Sequence, residues 1–97
     1  MLVALERFDL RIPGCGSLKE KRHVVKTLTN AIRSKFNVSV AEVDHHDLWQ
    51  RTTIAVATVT QESYHAKKVL HEVERLVERF HEVEIIGAEL SLHYPEG

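Results

Sequence analysis

The run Ser17-Leu18-Lys19-Glu20-Lys21-Arg22 opens the most chemically suggestive stretch of this chain, a stripe of positive charge. Lys19, Arg22, His23, Lys26, Asn30 and Arg33 recur by threes and fours, a spacing that gathers them on one face of a helix. Between Ser17 and Lys35 there are six Lys or Arg against one Glu, although the whole chain carries a formal charge of −1. Such a concentration can hold an RNA backbone, an acidic protein surface or a phosphorylated ligand. The plainer account is a solvated helix face.

A second cluster, Asp44-His45-His46-Asp47, supplies metal-type ligands, with Leu48 and Trp49 beside it. Its first three residues match the signature of a large phosphoesterase group. The further aspartate and histidine motifs of a two-metal site are missing, and adjacent histidines in extended backbone point opposite ways. A polar loop tip that serves as an interaction loop is the expectation, with no metal. Cys15 stands just before a helix start, where a thiol pKa falls, but no motif ties a histidine to it. His71-Glu72 lacks the second histidine of a zinc protease motif, since Arg75 holds that position. Gly14-Cys15-Gly16-Ser17-Leu18-Lys19 matches neither a dinucleotide fingerprint nor a Walker loop. No catalytic residue and no cofactor are assigned, and an enzyme is the least expected class.

The elements that position these residues are legible. Leu2, Ala4, Phe8, Leu10 and Ile12 share one parity, broken only by Glu6, which is the mark of a half-buried strand. Pro13, Gly14 and Gly16 stop it. Ser17 and Glu20 have capping-box spacing, in which the serine hydroxyl takes the Glu20 N–H and the glutamate returns to the serine N–H. Leu18, Val25, Leu28, Ile32 and Phe36 follow at helical spacing, with Val24 and Ala31 widening the stripe. Asn37, tolerant of a left-handed conformation, is the expected stop.

Val38–Val43 and Thr52–Thr60 are β-branched runs that read as strands. They flank a hairpin connection whose Leu48 and Trp49 are expected to fold back on the body. Gln61–Glu82 reads as a second helix, apolar at Ala66, Val69, Leu70, Val73, Leu76, Val77 and Phe80, and laced with salt bridges elsewhere. Val83–Tyr94 closes as a strand with a bulge or bend at Gly87, and Pro95-Glu96-Gly97 reads as a frayed end.

The order β-α-β-β-α-β is the split-βαβ pattern of an α+β, ferredoxin-like fold. It calls for a four-stranded antiparallel sheet with both helices on one face. At 97 residues the chain makes a single domain over 1–97. A lone cysteine fits a reducing compartment. No basic leader or long apolar run appears, so a cytoplasmic protein without membrane contact is expected.

The helix-free face of the sheet receives Val3, Leu5, Ala41, Val43, Ala55, Ala57 and Val59. A surface that apolar is rarely left bare, which suggests a homodimer through the open sheet face. Its small residues also argue against an RNA-recognition motif, which stacks bases on aromatic residues at such positions. An acylphosphatase would carry a Gly-rich loop ending in arginine, which Pro13–Lys19 does not match.

The runs SLKEKRHVVKTL (Ser17–Leu28) and FNVSVAEVDHHDLWQRTT (Phe36–Thr53) closely resemble the YlxP family of small bacterial proteins. The resemblance covers nearly the whole chain and rests on Ser17, Leu18, Lys19, Lys21, Arg22, Phe36, Asn37, Ser39, Glu42, Asp44, Asp47, Leu48 and Trp49. It implies a ferredoxin-like fold. The family has no established biochemical activity and no assigned catalytic residue. In several bacteria its gene lies among genes for transcription elongation, translation initiation and ribosome maturation, which implies a role around RNA or the ribosome.

The leading expectation is therefore a non-enzymatic accessory factor that touches RNA or a ribosomal particle through Lys19, Arg22, His23, Lys26 and Arg33. The alternative is a dimeric protein-interaction or small-ligand-sensing module. It would use the Asp44, His45, His46, Asp47 and Trp49 loop and the sheet edge.

Overall fold

Alternation along the first strand, β1 (Leu2–Arg11), buries Leu2, Ala4, Phe8 and Leu10 completely or nearly so. In the computed structural model, which describes residues 1–95, the chain continues as α1 (Leu18–Lys35), β2 (Ser39–Asp44), β3 (Arg51–Thr60), α2 (Ser63–Arg79) and β4 (Glu84–His93). The strands form one antiparallel sheet in the order β2-β3-β1-β4. Each β-α-β unit therefore spans one intervening strand, as a ferredoxin-like α+β fold requires. Leu28 and Ile32 of α1 and Ala66, Leu70, Val73 and Val77 of α2 join Phe8, Leu10, Ile54 and Val56 in a single core. Both helices thus cover the even-numbered face of β1 and β3. Full burial of such side chains is worth roughly 1.5–3 kcal/mol each. Neither helix is long and apolar enough to cross a membrane.

Local chemistry explains the ends. Ser17 has extended backbone (φ −160°) and its Oγ accepts the Glu20 N–H at 3.1 Å. The return arm differs from the expected capping box, because the Glu20 carboxylate accepts from the Gly16 N–H at 2.9 Å rather than from Ser17. Two otherwise orphaned donors are still satisfied. Ser17→Ala is expected to lower the unfolding free energy by about 1 kcal/mol, read from the urea midpoint.

Four further expectations are corrected. Asn37 does not close α1 in a left-handed conformation. The chain leaves the helix through extended Phe36 (φ −129°), and His45 is the one non-glycine residue with positive φ among those described. The second helix is shorter than Gln61–Glu82. Its N-cap, Glu62, makes no side-chain capping bond, and Phe80 ends it. Among the described residues α2 makes no ion pair within 4.0 Å, so its alternating charges are solvated rather than laced together. Leu48 and Trp49 do not fold back on the body, and each remains 50% exposed.

The expected irregularity near Gly87 is present, since the β1–β4 register shifts between Asp9 (opposite Gly87) and Leu10 (opposite Ile85). A Cβ at Gly87 would lie 3.4 Å from Asp9 Oδ2, so glycine lets that carboxylate lie close while its other oxygen accepts from Thr53 Oγ1 at 2.6 Å. The frayed end expected at Glu96 and Gly97 lies outside the described residues.

Candidate functional site: a basic helix face and its anchored loop

Helix α1 turns one face to the core and the opposite one to solvent. Lys19, Arg22, His23 and Lys26 are all exposed, and none has a carboxylate within 4.0 Å among the described residues. Arg33 is also exposed but less free, donating to the Val40 carbonyl at 2.7 Å and to Asn30 Oδ1 at 3.3 Å. It extends the stripe while bracing α1 against β2. From Lys19 to Arg33 the face runs about 21 Å at 1.5 Å per residue.

One of the six cations of this segment is elsewhere. Lys21 is 1% exposed and sits in the apolar stripe between Leu18 and Val25. Its ammonium meets Glu42 Oε2 at 3.0 Å and donates to the His45 carbonyl. Glu42 Oε2 also accepts from Thr52 Oγ1 at 2.6 Å. Burial alone would raise the Glu42 pKa, but the Thr52 hydroxyl and the Lys21 ammonium outweigh it, and the carboxyl lies below its ordinary value. Glu42 is therefore a carboxylate at neutral pH.

Lys21 thereby fixes the loop. His45 holds φ 62°, a left-handed conformation costing about 1–2 kcal/mol for a residue with a Cβ. Three contacts hold it there. Asp44 Oδ1 accepts the His45 N–H at 2.7 Å, and the His45 carbonyl accepts the Leu48 N–H at 3.2 Å as well as Lys21. The His45 N–H, followed by the His45 and Arg7 charges, keeps the exposed Asp44 carboxyl below its usual range. Downstream, Gln50 Nε2 donates to the Cys15 carbonyl at 3.3 Å, and the Gln50 backbone carbonyl accepts the Ile12 N–H at 2.9 Å. One end of the loop is thus tied to the first turn of α1 and the other to the connection between β1 and α1.

The Asp44, His45, His46, Asp47 and Trp49 loop and the Lys19–Lys26 end of the stripe therefore lie at one end of the molecule. A shallow groove of about 360 Å³ runs along Asp47, Leu48, Trp49, Gln50 and Arg51. Arg51 Nε is the one buried side-chain nitrogen or oxygen among the described residues with no hydrogen-bond partner. No group of three or more His, Cys, Asp or Glu converges as metal ligands would among those residues. Cys15 is buried and donates to the Ser17 carbonyl at 3.4 Å.

The Lys21–Glu42–Thr52 network escaped the reading of residue types, though position could have found it. Leu18, Lys21, Val25, Leu28 and Ile32 follow one another by threes and fours, and Glu42 shares the parity of buried Val40.

On the open face of the sheet, Leu5 lies opposite Ala57 and Val3 opposite Val59, with Ala41 opposite Ala55. Val59 is 67% exposed. The other half of that face is charged, but Arg7 pairs with Asp44 at 3.8 Å and Arg11 with Glu84 at 2.8 Å.

This architecture defines a small ferredoxin-like α+β protein with a cationic helix face. The chain belongs to the family described as protein of unknown function DUF503, whose model matches residues 3–90. It is 41% identical over 83 residues to the uncharacterized protein YlxP of Bacillus subtilis (strain 168), covering 86% of this chain and 90% of that one. Among solved structures it is similar to the de novo designed protein Foldit4 (TM-score 0.55, 10% identity, 99% of this chain and 100% of that one). It is also similar to LarC2, the C-terminal domain of a cyclometallase (TM-score 0.53, 12% identity, 95% of this chain and 54% of that one). These two likenesses establish the fold alone.

Proposed function

We propose that the protein is a non-enzymatic accessory factor that binds RNA, free or within a ribosomal particle, through the Lys19, Arg22, His23, Lys26 and Arg33 face. The observation that carries this reading is the absence of internal carboxylate partners along that face in a chain of net charge −1. Phosphates placed along about 21 Å of helix meet several cations at once, which positions RNA without reading its sequence. Trp49, half exposed at the same end, adds a ring on which an unpaired base can stack. The lone buried Cys15 suits the reducing cytoplasm.

Sedimentation with ribosomal particles at low salt tests this reading, together with anisotropy of a labelled single-stranded RNA. The protein is expected to pellet with the particles and to bind the RNA, both effects fading as salt rises. Unchanged sedimentation at low salt defeats the proposal.

A second reading, a homodimer, is favoured by the apolar half of the open sheet face around Leu5, Ala55, Ala57 and Val59. The ion pairs of Arg7 and Arg11 reduce the charge beside it. Solution mass at tens of micromolar is expected to be that of a dimer, and Val59→Glu is expected to shift it to the monomer. Monomer alone for the wild type removes this reading.

A further inference from the structure

The single break in the apolar parity of β1 marks a second site. Glu6 points to the same side as Ala4 and Phe8, beneath α2, and is only 8% exposed. Among the described residues its carboxyl makes no hydrogen bond and no ion pair. The residue is largely buried, yet its carboxyl oxygens keep contact with solvent at the surface, so they are open to a partner that enters there. It forms part of a groove of about 580 Å³ between α2 and the edge strand β4. His71 and Glu74 line the α2 wall, and Leu90, which pairs with Glu6 across the sheet, lines the β4 wall. Tyr64, Lys67 and Lys68 continue the α2 wall, and all three are exposed.

We propose that this groove binds a small organic amine, with its ammonium held by Glu6 and Glu74 and its apolar body lying along Leu90 and the Tyr64 ring. Placement of charge decides the class: the lining carries Lys67 and Lys68 as well as two carboxylates, but of these four only Glu6 is buried. Glu6 and Glu74 both face the groove and neither has a cation within 4.0 Å, so an entering ammonium supplies what the floor lacks. An anion there would meet an unpaired carboxylate. A metal ion is disfavoured because Glu6, His71 and Glu74 do not converge closely enough to ligate one. The apolar Leu90, 40% exposed at an edge strand, gives a hydrocarbon body something to cover.

Titration behaviour agrees with this geometry. Burial, and then the Glu74 carboxylate, push the Glu6 pKa up to about 6, while His71 acts in the opposite direction. Lys67 and Lys68 are the other charged groups of the groove. A bound ammonium favours the ionised carboxylate, so binding expels the Glu6 proton and weakens as pH falls below about 6.

The test is a titration of the whole protein with phenethylamine near pH 7.5, followed by amide and methyl chemical shifts. Saturable shifts are expected at Leu90, His71 and Glu6, with little change on α1. Glu6→Gln, which keeps the shape of the side chain, is expected to weaken binding at least tenfold, and Glu74→Gln several-fold. Lowering the pH to about 5 is expected to weaken it about tenfold, the factor that follows from protonating a group of pKa about 6. The uncharged 2-phenylethanol is expected to bind at least tenfold more weakly than the amine. Absence of saturable shifts with the amine overturns the proposal. So does tighter binding of phenylacetate, or unchanged affinity in both Gln variants with native circular dichroism. The site lies on β1, α2 and β4, so its failure leaves the reading of the α1 face untouched.

Discussion

Replacing Lys21 by methionine is expected to lower the unfolding free energy by about 3 kcal/mol, a large part of the 5–15 kcal/mol typical of a single domain. The lysine is 1% exposed, yet it is the buried charge that holds Glu42, whose side chain is 21% exposed. Removing the ammonium leaves the carboxylate with the Thr52 hydroxyl alone, and an unpaired, half-desolvated charge costs more than the pair contributes. Methionine keeps the apolar stem, so the loss reports charge rather than a cavity. Lys21→Ala adds the cavity and is expected to cost more. The double variant Lys21→Met with Glu42→Leu is expected to recover most of the loss, because both charges leave together.

Two further readouts separate this account from simple packing. The Glu42 carboxyl is held below its ordinary pKa, so its stabilising contribution is complete above the usual carboxylate range. It is lost as pH falls through the lowered value, and Lys21→Met is expected to flatten that acid limb. His45 also loses the donor that fixes its left-handed turn, so the Leu48 amide is expected to exchange faster. Urea unfolding of Lys21→Met within about 0.5 kcal/mol of the wild type, the range of ordinary surface changes, would show that the network contributes little.

The same lysine shows where the chain could be read and where it could not. β1 was legible because period-two alternation in Leu2, Ala4, Phe8 and Leu10 survives a single exception, and a sheet with one buried face has no other way to place them. Helix α1 was legible from Ser17 and the stripe from Leu18 to Ile32. Lys21 falls in that stripe, but the habit of placing charge outside outweighed its position. Its partner lies on β2, where the register sets Glu42 opposite Ile54, and only the assembled fold brings that carboxylate to Lys21 and Thr52.

Asn37 drew the left-handed conformation because of its type, whereas it was His45 that adopted it, held by contacts distant in sequence. The ion pairs expected along α2 did not form because exposed pairs at helical spacing are worth only a few tenths of a kcal/mol, too little to order two long side chains. Glu6 stood out as an exception in β1, but that it would lack a partner depended on how α2 lies over the sheet. For the candidate RNA face, the types and the spacing sufficed to place Lys19, Arg22, His23 and Lys26. Nothing in the spacing told that Arg33 would also reach the Val40 carbonyl.

Reversing Lys19, Arg22 and Lys26 to glutamate is expected to abolish RNA binding, with a loss of at least about 100-fold at low salt, or about 2.7 kcal/mol. Each phosphate neutralised on a single strand releases a counterion and adds about 0.7 to the slope of log K against log salt. Three to five contacts along the stripe give a wild-type slope of about −2 to −3.5, and the variant slope is expected near zero. The fold should not change, since these side chains are exposed and have no carboxylate to lose. Glutamate is a good helix former, and at position 19 it also suits the first turn of α1. An unchanged urea midpoint therefore accompanies the lost binding. Trp49→Ala acts on the other half of the interaction: it is expected to weaken binding about tenfold, the size of one stacked base, and to leave the salt slope alone. A triple variant that binds RNA as the wild type does, with the same slope, would move the contact off α1 and leave the open sheet face as the surface to pursue.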